Sequence, residues 1–129
     1  MRLTKSELEM MTVFWDAGKP LSQPELLAQA GQKSWKDSSV YILINSLLKK
    51  GVLREEGFVR SGKAYARTFA PAMTYEEYCA CEIRSITRKT SLPKLFSALM
   101  ADSNISEQTI QELQKLLEQA EKEAQAHDD

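Results

Sequence analysis

Apolar residues recur at intervals of three and four in three stretches of the first 50 residues, the spacing that builds one apolar face on a helix. Two of these helices begin at capping boxes, Thr4 with Glu7 and Ser22 with Glu25. In each box the two side chains can satisfy each other's free backbone N–H. Gly51 follows the third stretch, where a helix needs a residue that accepts positive φ. The pattern predicts three helices.

The apolar period changes from helical to alternating after these helices. The segments "VLREEGFV" and "KAYARTF", joined by "RSG", are typical of two β-strands in a hairpin. Basic residues, Arg60 and Lys63, lie near its tip. Three helices followed by a basic hairpin are the order of a winged helix-turn-helix, so we expect a mainly α fold with a small β wing over residues 1–71.

The rest of the chain, 72–129, is predicted to be a helical dimerisation region. A third capping box joins Thr74 and Glu77, further helices start at Ser91 and Ser106, and "ADSN" separates the last two. The tail from residue 121 is expected to fray. The apolar stripes here have too little front domain to cover them, so they should pair between two chains. The residues predicted to do so are Tyr78, Ile83, Leu95, Phe96, Leu99, Ile110, Leu113 and Leu117.

Charge is distributed unevenly although the net charge is −1. Residues 1–71 carry 11 Lys and Arg against 7 Asp and Glu, whereas residues 72–129 carry 6 against 11. A polyanion is therefore expected to meet the front half. The chain has neither a long apolar run nor a secretory signal, which predicts a cytoplasmic protein without direct membrane insertion.

The chain contains few residues of the types and spacings that catalytic or metal sites need. The one histidine, His127, lies near the end of the chain, and no glycine-rich phosphate loop is present. We therefore expect no enzyme activity and no cofactor. Cys79 and Cys81 are only two positions apart and cannot join distant parts of a fold, so reduced thiols are expected. On a helix they would point about 200° apart, which favours two small half-buried side chains in an association helix over the alternative of a metal shared between two chains.

The third helix is the candidate DNA reader, because its outer face carries small polar and apolar groups that suit base edges. Asn45 could pair with adenine, and Ile42 could contact a thymine methyl. Lysines and arginines nearby would neutralise phosphates. The predicted DNA-binding residues are Ser38, Ser39, Tyr41, Ile42, Asn45, Ser46, Lys49, Lys50, Arg60 and Lys63. The alternatives are a helix whose outer face only meets water, and a winged-helix protein-interaction module without DNA binding.

The stretches "LTKSELEMMTVFW", "LSQPELLAQ", "WKDSSVYILINSLLKKGVLREE" and "GKAYARTFAP" resemble, in this order, the penicillinase repressor family (BlaI/MecI). Trp15, Trp35 and "LLKKGVL" are the most specific marks, and "LFSALM…ISEQTIQELQKLL" extends the resemblance almost to the C-terminus. The resemblance implies a homodimeric repressor on a palindromic operator. It also implies a membrane-bound sensor protease as partner and relief of repression by cleavage in the dimerisation region.

Three departures from that family's pattern stand out. Tyr41 and Ser46 replace basic residues of the antibiotic-resistance members, which predicts a different operator. The region that matches their Asn-Phe cleavage site reads "SALMAD", with Ala98-Leu99 at the matching bond. The copper-responsive branch carries paired C-x-C motifs near its C-terminus, whereas Cys79 and Cys81 form a single motif placed earlier, so copper sensing is not implied.

Overall fold

The computed structural model describes residues 2–31, 33–101 and 104–128. The chain divides into two compact units, the first ending at Ile86 and the second beginning at Thr87. Within the described ranges, no helix has the length and apolar character needed to cross a membrane.

Three helices open the first unit. They are α1 (Lys5–Ala17), α2 (Gln23–Gln29) and α3 (Val40–Lys50), and a 3-10 turn at Asp37–Ser39 leads into α3. The capping boxes predicted at α1 and α2 both form, with side chain and backbone bonded in each direction. The helix α3 ends at Gly51, whose φ of 78° explains why a glycine stands there.

The first unit also contains three antiparallel strands. They are β1 (Leu21–Ser22), β2 (Leu53–Ser61) and β3 (Ala64–Pro71), in the order β1-β3-β2. The long pair β2–β3 is the predicted wing, with a bulge between Glu55 and Gly57. The short strand β1 was not predicted. It exists because the chain between α1 and α2 pairs with β3, Leu21 opposite Phe69.

The core of this unit lies between the three helices and the sheet. Its fully buried side chains come from all of them and include Met10, Met11, Phe14, Leu21, Leu26, Ile44 and Leu47. Three helices, a two-residue strand and a two-stranded wing around one core make a winged helix-turn-helix domain. The predicted fold class is confirmed.

The helix α4 (Tyr75–Ile86) belongs to the first unit. Tyr78 is only 7% exposed, and its ring lies 5.7 Å, between centroids, from the Trp15 ring of α1. The Trp15 indole N–H donates to the Met73 carbonyl at 3.0 Å. Because of these contacts, the first compact unit extends beyond the boundary predicted after residue 71 and ends at Ile86.

The second unit contains a 3-10 turn (Thr87–Lys89), α5 (Leu92–Ala101) and α6 (Glu107–Asp128). The hydroxyls of Ser91 and Ser106 accept backbone hydrogen bonds at the predicted helix starts. Two residues of the predicted "ADSN" break, 102 and 103, lie outside the described residues. The prediction of a frayed tail is wrong, because α6 continues through the polar stretch after residue 120 to Asp128.

Candidate nucleic-acid interface

The outer face of α3 is open to solvent, as the helical spacing predicts. Tyr41 is 55% exposed and Ile42 is 68% exposed, and Asn45 is exposed on the following turn. The opposite face is buried in the core through Val40, Ile44 and Leu47. Of the remaining predicted contacts that lead into or leave this helix, Ser38 and Lys49 are exposed and Ser39 is half-buried.

Two of the predicted DNA-binding residues, Ser46 and Lys50, make polar contacts with other residues of the first unit. The Ser46 hydroxyl donates to Glu7 Oε2 at 2.6 Å. The Lys50 ammonium donates to Glu7 Oε1 at 2.6 Å and to the Arg2 carbonyl at 3.0 Å. Glu7, on α1, is 2% exposed. These two side chains therefore connect α3 to α1.

The Glu7 carboxylate is held in its charged form. Burial acts to raise its pKa, but the hydrogen bonds from Lys50, Ser46 and Thr4 outweigh burial and lower the pKa from 4.5 to about 2. A buried charge is tolerated here because its oxygens accept hydrogen bonds from a cation, a hydroxyl and a backbone N–H.

Acid should destabilise the fold through Glu7. Because the pKa is lower in the folded chain, the stabilisation is complete above about pH 5 and is lost as the pH falls toward 2. The shift corresponds to a loss of about 3 kcal/mol in the free energy of unfolding. Chemical denaturation at several pH values between 7 and 2 measures this loss.

The variant Glu7→Gln should flatten that pH dependence. Glu9→Gln is the matched control, because Glu9 lies on the same helix and Ser34 lowers its pKa at a more exposed position. Equal flattening by both variants would show that Glu7 has no special part in acid sensitivity.

Free positive charge surrounds α3 at both ends and at the wing tip. Along the wing, Arg54 pairs with Glu56 and Arg67 pairs with Glu55. Lys33 pairs with Asp37 at 3.0 Å. Among the described residues, the basic side chains of this region that have no carboxylate partner within 4.0 Å are Lys36, Lys49, Arg60 and Lys63.

Lys36 was missed by the sequence analysis, although it directly precedes the Ser38 and Ser39 of the predicted site. It is exposed at the start of the 3-10 turn that leads into α3. Its position and charge suit a phosphate contact at the end of the helix opposite Lys49. A search for basic residues on both sides of α3 would have found it.

Two aromatic side chains of the wing were also missed. Phe58 and Tyr65 are each 72% exposed. Tyr65 lies directly opposite Arg60 in the register, and Phe58 is two residues from Arg60 on the same strand, so all three share one face. The alternation of side chains between the two faces of each strand could have indicated that these aromatic residues lie beside Arg60. Together they offer apolar contact area beside a cation.

The predicted dimerisation residues fall into two groups. Tyr78 is buried in the core of the first unit, where it contacts Trp15. The other members are accessible in the single chain: Ile83, Phe96, Leu99, Ile110 and Leu117 are between 37% and 68% exposed, and Leu95 and Leu113 are half-buried.

Cys79 and Cys81 are half-buried free thiols on α4. Over the described ranges, no group of three or more His, Cys, Asp or Glu side chains is placed to hold a metal ion.

The chain is similar to a curated protein and to a solved structure. The chain is 27% identical over 116 residues to an uncharacterized 16.5 kDa protein in the ptsI 3'region of Latilactobacillus sakei, covering 89% of this chain and 77% of that one. Among solved structures it is similar to a Staphylococcus aureus MarR in complex with salicylate and kanamycin. That similarity has 15% identity and a TM-score of 0.39, and covers 97% of this chain and 75% of the other.

A model of the penicillinase repressor family matches residues 3–119, which span both units. The resemblance seen in the sequence is thereby confirmed. Members of that family are regulators of transcription rather than enzymes. They are DNA-binding repressors. The chain belongs to the penicillinase repressor family.

Proposed function

We propose that this chain is a sequence-specific repressor that binds a palindromic operator as a homodimer in the cytoplasm. The outer face of α3 enters the major groove of each half-site, and the wing contacts the flanking backbone. The observation that supports this most is the combination on α3 of an open face, including Tyr41, Ile42 and Asn45, with unpaired cations around it. Base edges and phosphates need those two kinds of group.

We assign recognition of the DNA base sequence to the open face of α3. Asn45 can bond bidentately to adenine, Ile42 can cover a thymine methyl, and the Tyr41 and Ser38 hydroxyls can reach base edges or phosphates. Ser39 adds a hydroxyl beside the helix start. Phosphate contacts are assigned to the free cations, Lys36, Lys49, Arg60 and Lys63. We assign Ser46 and Lys50 an indirect part, through their contacts with Glu7.

Dimerisation is assigned to the second unit together with Ile83 of α4. Both α5 and α6 present apolar side chains to solvent in the single chain, including Phe96, Leu99 and Leu117. Apolar faces of this kind are covered in stable assemblies, and a two-fold partner presents the same face in return. A two-fold dimer in turn requires an operator with two-fold symmetry.

Release from the operator is assigned to an external signal, with a membrane-bound sensor protease as the partner that the family resemblance implies. The bond that matches the family's cleavage site, Ala98-Leu99, lies inside α5. A protease would therefore reach it only after local unfolding of this helix.

Selection of bound duplexes from a random pool, followed by titration at several salt concentrations, tests the proposal. The expected result is a two-fold symmetric site whose affinity falls steeply with salt, because bound lysines and arginines displace counterions. Binding that is absent, or that shows neither sequence preference nor salt dependence, would instead favour the protein-interaction module.

The variant Lys63→Ala should weaken binding to all sequences alike and reduce the salt slope by about 0.9 for each chain in contact. Lys19→Ala, which removes an exposed lysine from the turn after α1, is the matched control and should leave the slope unchanged. Equal effects of the two variants would remove the wing from the proposed interface.

A further inference from the structure

Glu7 interrupts an apolar stripe. Near the start of α1 it stands among Leu3, Met10 and Phe14, all of which are buried, and it is itself 2% exposed. A carboxylate at such a position is costly unless its oxygens are bonded. Here Oε1 accepts from the Thr4 backbone N–H at 2.8 Å and from Lys50, and Oε2 accepts from Ser46.

These contacts fix the rotation of α3 about its own axis. Ser46 and Lys50 are four residues apart, so they lie above one another on one side of the helix. Both bond to the same carboxylate, at 2.6 Å in each case. Because the open face with Ile42 and Asn45 is rigidly connected to that side, Glu7 also fixes the direction in which the face points.

The same contacts separate two neighbouring lysines. Lys49 is exposed and has no carboxylate partner within 4.0 Å in the described part of the chain. The charge of Lys50 is compensated by Glu7, and its ammonium also donates to the Arg2 carbonyl. Affinity that does not depend on sequence comes from free cations near phosphates, so a compensated lysine adds little to it.

We infer that Glu7 is a positioning residue that sharpens the discrimination of the operator from other DNA, because it fixes α3 and keeps the charge of Lys50 away from phosphates. This inference rests on the proposed DNA-binding function. It concerns the ratio of the affinities for operator and for other DNA, and the number of protein cations that neutralise phosphates. The proposed function concerns whether DNA is bound at all.

The test compares the full chain and its Glu7→Gln variant on a selected operator and on a random-sequence duplex over a range of salt concentrations. The amide keeps the shape of the side chain and removes its charge. The salt slope on random DNA should steepen by about 0.9 for each chain in contact. Random DNA should then bind about eightfold more tightly in 0.1 M salt for each chain, and the ratio of operator to random affinity should fall.

Lys50→Gln and Lys49→Gln form the matched pair. Lys49→Gln should reduce the salt slope by about 0.9 for each chain, and Lys50→Gln should leave it unchanged. This pair also serves if Glu7→Gln does not fold, since both lysines are exposed residues at the end of α3 and an amide at position 50 can still donate to Glu7. Ser46→Ala, which removes one contact to Glu7 and no charge, should lower the affinity ratio without changing the slope.

Equal loss of slope in the two lysine variants would overturn the inference, because Lys50 would then contact phosphates directly. So would a Glu7→Gln chain that binds both duplexes more weakly with an unchanged slope, as expected from a role in stability alone. Failure of the proposed function is recognised separately, in the unaltered chain, by the absence of salt-dependent binding to either duplex.

Discussion

Ile42→Asp is expected to weaken DNA binding by about 100-fold or more while the free energy of unfolding stays within about 0.5 kcal/mol of its original value. Ile42 is 68% exposed, so the substitution leaves no cavity. Its position in the first turn of α3 also favours a negative charge energetically. At the proposed interface, however, the new carboxylate meets phosphates and replaces an apolar contact.

Thr12→Asp is the matched control for this variant. It adds the same charge at an exposed position of α1, outside the proposed interface, where the Thr12 hydroxyl donates to the Leu8 carbonyl of the same helix. Fluorescence titration with the selected operator and thermal unfolding give the two quantities. If Ile42→Asp and Thr12→Asp lowered affinity equally, total charge would explain the effect, and α3 would lose its assignment as the reader.

A chain that ends at Ile86 should fold, and it should bind the operator at least about 100-fold more weakly than the full chain. The reason is that the two DNA-binding domains on the two half-sites are no longer linked. Its core is complete, since Tyr78 and the Met73 carbonyl keep their contacts with Trp15. Sedimentation should show a monomer, and the far-ultraviolet spectrum should show the helices of the first unit. A truncated chain that still formed a tight dimer would contradict the assignment of dimerisation to the second unit.

A chain that ends at Pro71 is the informative comparison. It lacks Tyr78, which is buried, and the carbonyl that accepts from Trp15. Removing a buried aromatic side chain and a hydrogen bond should cost about 4 kcal/mol, a large part of the stability of a small domain. Equal stability of the two truncated chains would show that α4 contributes nothing to the winged-helix core.

Local chemistry explains which parts of the fold could be predicted. The boxes Thr4–Glu7 and Ser22–Glu25 and the C-terminal Gly51 act within four residues, so reading them in order located the helices. The strand β1 depends instead on pairing between Leu21 and Phe69, far apart in sequence. The docking of α4 depends likewise on Trp15 reaching Met73. No periodicity within a single segment reports such contacts.

The candidate site divides in the same way. Helical spacing predicted the open face of α3 with Tyr41, Ile42 and Asn45, because the buried face was evident from the apolar stripe. It could not show that Ser46 and Lys50 turn toward Glu7, about forty residues earlier. One signal was present, since Glu7 occupies an apolar position of the α1 stripe, and a charged residue there predicts a buried partner.

The apolar faces that α5 and α6 present to solvent have a consequence for the dose response of the repressor. If two chains must associate before either binds the operator firmly, the dimer forms in proportion to the square of the chain concentration. Operator occupancy therefore rises with that square as long as the chain concentration is below the dimer dissociation constant. A twofold dilution of the repressor, such as one doubling of cell volume without new synthesis, would then lower operator occupancy about fourfold while most operators are vacant.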